Sequence, residues 1–142
     1  MTLDLAIFKI NAADIIIENY DYEDYYIGGH SLGGTVASIY LEDKTDEFDG
    51  VLLFASYFSK DLSDTDLRVL SIYGDKDGVL NMKSYEKAKA YLPSDYEEII
   101  LVGGNHSNFG DYGLQKKDNE PDLTPDKQKE MVVNSVVEFI NK

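Results

Sequence analysis

The sequence predicts an α/β fold in which about four mostly parallel strands are flanked by helices, and three observations lead there. Continuous apolar runs at residues 50–55, 69–73 and 98–102 are of the kind that a strand covered on both faces requires. Segments of helical character separate these runs, and strands alternating with helices imply a parallel sheet with right-handed crossovers. Around Gly29-His30-Ser31-Leu32-Gly33, the chain passes from apolar and aromatic to small to helix-forming. That order describes a strand turning sharply into a helix with a serine at the apex.

Taken in order, Leu3, Ala6, Ile7, Ile10, Ala13 and Ile17 fall at helical spacing, so residues 3–19 should form an amphipathic helix with one buried stripe. It leads into a strand at 25–30. The glycines flanking the turn have a steric task there, because the apex is strained and strand and helix approach too closely for a Cβ. Residues 35–41 make a short, mostly apolar helix that ends in the charged segment 42–47. After the strand at 50–55, the acidic stretch 61–66 reads as a solvated loop. Residues 82–92 read as a helix broken by Pro93, between the strands at 69–73 and 98–102. The last helix opens with Thr124 as N-cap and Pro125 in its first turn, and carries Val132, Val133, Val136, Val137 and Ile140 on its inner face. No repeat, low-complexity tract or linker divides the chain, so residues 1–142 are expected to form a single domain.

A chain of 142 residues can bury roughly two thirds of the surface its unfolded form exposes, enough for a real core. Its 27 acidic and 13 basic residues give a formal charge of −14, which opposes nucleic acid and anionic lipid. The absence of cysteine removes disulfides, thiolate metal sites and any Cys nucleophile together. Residues 1–9 lack a basic start and an uninterrupted apolar stretch, and no later run approaches the ~18 apolar residues of a membrane span. A cytoplasmic protein is the default reading.

A serine hydroxyl is a weak nucleophile, so Ser31 needs a general base, and the chain has two histidines, His30 and His106. His30 precedes Ser31 on a strand, where successive side chains point to opposite faces, so it reads as an elbow residue packed beside the site. His106 sits in the glycine-bounded loop Gly103-Gly104-Asn105-His106-Ser107-Asn108-Phe109-Gly110, just after a buried strand, where functional groups of parallel sheets gather. A carboxylate must then fix the imidazole tautomer and stabilise the imidazolium. In Gly74-Asp75-Lys76-Asp77-Gly78-Val79, Asp77 is the choice and Asp75 the alternative, both at the same sheet edge and in the chain order Ser, acid, His. As a calcium loop this turn lacks the spacing and the closing glutamate, so neither a metal nor another cofactor is expected. The backbone N–H of Leu32, at the start of the elbow helix, supplies one oxyanion donor, while no segment offers an obvious second. Tyr57, Phe58, Phe109 and Tyr112 follow the strands that reach the site and are candidate walls of a substrate pocket, with ordinary packing the equal alternative.

Gly-His-Ser-Leu-Gly-Gly, Ser-Ile-Tyr-Gly-Asp-Lys-Asp-Gly-Val-Leu and Gly-Gly-Asn-His-Ser-Asn-Phe-Gly-Asp-Tyr-Gly together resemble the α/β-hydrolase superfamily, and more closely its small bacterial branch, alpha/beta hydrolase fold-5. The resemblance implies Ser31 as nucleophile, Asp77 as acid, His106 as base and the Leu32 N–H as oxyanion donor. It is a resemblance to the C-terminal half of such an enzyme, a partial α/β-hydrolase fold that begins in the helix before the nucleophile strand. The strand over 25–29, from Tyr25 onward, would then expose unpaired N–H and C=O groups on one edge. A homodimer pairing two such strands antiparallel about a two-fold axis would complete the sheet.

These readings lead to a serine hydrolase of carboxylesterase type that acts on a small-molecule ester or related acyl substrate through an acyl-enzyme. The rival is a catalytically impaired half-domain that keeps the triad residues and serves as an assembly or binding module. A small-molecule binding protein without chemistry is the third reading.

Overall fold

The computed structural model describes residues 13–111 and 113–142. Four strands, β1 (Tyr26–His30), β2 (Gly50–Phe54), β3 (Arg68–Gly74) and β4 (Tyr96–Leu101), lie side by side in that order, and every neighbouring pair is parallel. Pairing His30 with Phe54 and Phe54 with Ile72 lines up their carboxyl ends, so the loops that follow them share one rim. Each strand begins where the apolar runs begin to within two residues, because burial on both faces selects the same residues that the runs reveal.

Side-chain alternation sorts the sheet into two cores. Val51, Leu53 and Val69 pack on one face with Leu41, Phe58, Leu62 and Leu67. Leu70 and Ile72 pack on the other with Phe139, Met131, Val132 and Val136 of helix α4 (Pro125–Ile140). The earlier helices are α1 (Asp14–Asn19), α2 (Leu32–Tyr40) and α3 (Met82–Ala88). α4 starts where its signals place it, with the Thr124 hydroxyl accepting from the Lys127 N–H at 3.2 Å and Pro125 in the first turn. Its far end is tied down by Arg68, which donates to the Phe139 carbonyl at 2.8 Å and sits 4.5 Å over the Phe139 ring.

One expectation about helices needs correction, and another is described only in part. On α4, Val132 and Val136 face the sheet, but Val133, Val137 and Ile140 are exposed. Each residue advances the helix by about 100°, so a stripe centred on Val132 and Val136 carries the next residue out into solvent. Of the helix expected over 3–19, residues 3–12 lie outside the described residues, and α1 buries none of its own. Ile15 and Ile16 are exposed, Ile17 is half-buried, and Asp14 connects α1 to the body by accepting from the Tyr40 hydroxyl at 2.6 Å. Among the described residues β1 has a hydrogen-bonded strand on one side only.

Where β1 runs into α2, the backbone of the strand lies almost on that of the helix. A Cβ on Gly29 would stand 2.3 Å from the Gly33 carbonyl carbon, and one on Gly34 would stand 2.6 Å from Ser56 Oγ. Gly33, by contrast, faces open space, so the crowding falls on Gly29 and Gly34 rather than on both glycines that flank the serine. Gly29→Ala is therefore expected to destabilise the fold by about 3 kcal/mol, since backbone cannot yield as a side chain can. Gly33→Ala should change stability by less than about 1 kcal/mol, in the favourable direction. Urea denaturation midpoints of the two variants check both.

Candidate active site

Ser31 sits between β1 and α2 at φ +54° and ψ −123°, a conformation that residues other than glycine adopt only when their surroundings impose it. The surroundings do impose it. The Ser31 N–H donates to the Phe54 carbonyl at 2.9 Å, and the Ser31 carbonyl accepts from the Ser56 hydroxyl at 2.5 Å and the Gly34 N–H at 3.2 Å. Leu32 opens α2, and with Ser31 it lines a cavity of about 210 Å³ at the rim.

Beyond β3, the Asp77 side chain turns inward until it is 1% exposed. Its Oδ1 accepts from the N–H groups of Val79 and Leu80, at 2.8 and 2.7 Å, while Oδ2 meets His106 Nδ1 at 2.8 Å. Asp75, the alternative acid, is exposed, and its carboxylate accepts from the Gly103 N–H at 2.6 Å instead. The structure thus sets Asp77 against the imidazole and leaves Asp75 as a tie to the root of the next loop.

His106 follows β4 and is itself 1% exposed. With a carboxylate at Nδ1, the neutral ring carries its proton there and leaves a lone pair on Nε2. That Nε2 is buried, has no hydrogen-bond partner among the described residues, and belongs to a ring that lines the same cavity as Ser31. The base loop is anchored from α4. Gln128, fully buried, accepts from the Asn105 N–H at 3.0 Å and donates to the Asn105 carbonyl at 2.8 Å.

His30 packs its ring against that of His106, centroids 4.5 Å apart, with Phe109 stacked at 5.6 Å. That ring contact makes His30 a neighbour of the base. Burial, reinforced by the positive charge that His106 can carry, pushes the His30 imidazole down to about 4.

Of the four aromatics expected at a pocket wall, Tyr57 lines the cavity, together with Val79 and Leu80. Phe58 is 1% exposed and belongs to the core with Leu41 and Val51. Phe109 stacks on His30 and Phe54 and is not on the wall. In both cases the ring packs on apolar neighbours of the sheet instead. Tyr112 lies outside the described residues.

A wider cavity of about 560 Å³ opens at the opposite end of the strands, between Asp24, Asp49, Asp64, Asp66 and Arg68. It holds neither histidine. Among the described residues no group of three or more His, Asp or Glu is placed to hold a metal, and no helix is long and apolar enough to cross a membrane.

Motif reading passed over Ser56, Gln128 and Asp118, the last of which contacts both loops of the site. Only Gln128 left a signal, as a polar residue one turn before the apolar stripe of its helix.

A family model described as the alpha/beta hydrolase family matches residues 1–130. No curated protein matches the sequence. Among solved structures, a predicted CIB-like hydrolase from Thermoplasma acidophilum aligns with a TM-score of 0.67 at 18% identity, over 99% of this chain and 61% of that one. Est1E from Butyrivibrio proteoclasticus aligns at 0.65 and 16%, over 100% of this chain and 72% of that one. A monoacylglycerol lipase from Paleococcus ferrophilus aligns at 0.64 and 14%, over 90% and 74%. The chain therefore spans 61% of the length of the Thermoplasma protein. At these identities the likeness is one of fold.

The depressed His30 value has a consequence for stability. Between its ordinary value near 6.5 and about 4, the unfolded chain binds a proton that the folded one refuses, so the fold loses stability as pH falls through that window. His30→Gln should remove this contribution. Urea midpoints between pH 7 and 4 are expected to fall less steeply in the variant than in the parent.

Proposed function

The chain belongs to the alpha/beta hydrolase family, and from that premise we propose that it is a serine hydrolase acting on a small ester or related acyl substrate through an acyl-enzyme. The observation that carries the proposal is the buried Asp77–His106 pair, whose imidazole lines the same cavity as Ser31 and whose Nε2 has no hydrogen-bond partner among the described residues.

In this mechanism Ser31 Oγ attacks the acyl carbon while His106 Nε2 accepts its proton, and Asp77 steadies the imidazolium that forms. The oxyanion is met by the Leu32 N–H at the start of α2. His106 then returns the proton to the leaving oxygen, and water repeats the sequence to release the acid. A cavity of about 210 Å³ walled by Tyr57, Val79 and Leu80 suits a short acyl group. The description of one neighbour as a monoacylglycerol lipase, and of another with ferulic acid bound, supports carboxylic esters as the class.

A fluorophosphonate probe is expected to label the protein, and labelling should vanish in Ser31→Ala. Hydrolysis of a short p-nitrophenyl ester should fall by about 10⁴-fold in Asp77→Asn, which leaves the imidazole in the wrong tautomer. A protein that binds esters without labelling or turnover would favour a binding module instead.

The homodimer across β1 belongs to the same proposal. It is supported by the side of that strand that pairs with no other strand among the described residues, which antiparallel pairing about a two-fold axis would fill. Light scattering should give about 32 kDa, twice the 16.0 kDa chain, and a monodisperse monomer would count against it.

A further inference from the structure

We propose that Asp118 is a positioning residue that holds the acid loop and the base loop in register, so that Asp77 meets His106. The inference rests on the reading of Ser31, Asp77 and His106 as the reacting set.

Asp118 lies in the segment between the base loop and α4, beyond every motif in the chain. Its Oδ1 accepts from the Gly78 N–H at 3.0 Å and, more weakly, from the His106 N–H at 3.4 Å. Its Oδ2 accepts from the Ser107 N–H at 2.7 Å and the Ser107 hydroxyl at 2.6 Å. Gly78 adjoins Asp77, and Ser107 adjoins His106. One carboxylate thus receives hydrogen bonds from the residues flanking both members of the pair.

Other ties join the same two loops, at Asp75 with Gly103 and at Lys76 with Gly104, but neither reaches a residue next to His106 as Asp118 does at Ser107. The segment carrying Asp118 is itself held against both loops. Asn119 donates to the Lys76 carbonyl at 3.0 Å, and Asn105 donates to the Asn119 carbonyl at 2.9 Å. Lys117, just before Asp118, takes φ +79°, a left-handed conformation that a side chain rarely adopts. Burial works against the charged form of Asp118, but the donors from Gly78, Ser107 and His106 outweigh it and hold the carboxyl below its usual range. An ionised group with two oxygens is what this place requires, because all of its partners donate.

Asp118→Asn tests the assignment, since the amide keeps the shape but turns a donor toward donors. Three readouts separate positioning from simple loss of structure: kcat against KM on a p-nitrophenyl ester, the far-downfield proton of the His106 Nδ1–H bond by NMR, and the urea midpoint. The expected result is a folded protein whose kcat falls by about 10²-fold. KM should stay within about twofold, with the downfield proton broadened or lost. Wild-type kcat together with an intact downfield proton would overturn the proposal.

Should Asp118→Asn fail to fold, Ser107→Ala decides. It removes the hydroxyl bond to Asp118 together with the bond that the same oxygen accepts from the Gln115 N–H at 2.8 Å, keeps the Ser107 N–H bond to Asp118, and should lower kcat by about threefold to tenfold. An unchanged kcat and resonance in that variant would overturn the proposal equally. The NMR arm needs no substrate, so a parent protein that neither labels nor turns over would sink the hydrolase reading while the test of Asp118 still stands.

Discussion

The contact on which the site depends is the 2.8 Å bond between Asp77 and His106, made by two side chains that are each 1% exposed. Taking a carboxylate and an imidazole out of water is unfavourable unless their remaining polar atoms are satisfied. The chain answers with geometry. Val79 and Leu80 present their N–H groups to the second carboxylate oxygen, which fixes the acid before the base arrives. The parallel pairing of β3 and β4 brings residues 29 positions apart to one rim. A pair so enclosed tolerates little play, and this explains the density of hydrogen bonds around two loops that a surface turn would not need.

The serine reaches the same rim by a different device. Its backbone is held away from the common regions by a strand and a helix packed too closely for side chains between them. His30 lies at the junction of the two devices, since it precedes the serine in sequence and lies against the base in space. Its neutral ring supplies a flat wall without adding a second positive charge beside His106. The elbow and the base loop are therefore not independent parts.

Much of this was legible in the residues. Burial on both faces leaves continuous apolar runs, so the bounds of the strands could be read to within two residues. The serine, acid and histidine segments stood out because small residues and turn chemistry must surround them, but Asp77 and Asp75 share chain order and sheet edge, and only the hydrogen bonds of the fold set Asp77 against His106 and Asp75 against Gly103. What the sequence hid depends on rotation and distance. Val133 and Val137 look like core residues but lie one step too far around α4. Phe58 and Phe109 follow the right strands, yet their rings turn into the sheet, a choice made by packing partners far away in sequence. Asp118 is one of 27 acids, and only its place in space distinguishes it.

The hydrogen bonds that Asp118 and Gln128 make to the base loop also set an order on synthesis. Both residues leave the ribosome after the nucleophile, the acid and the base. A nascent chain can therefore close the elbow of Ser31 well before the clasp on His106 exists. Of the three groups, the imidazole is the one whose supporting residues the growing chain supplies last.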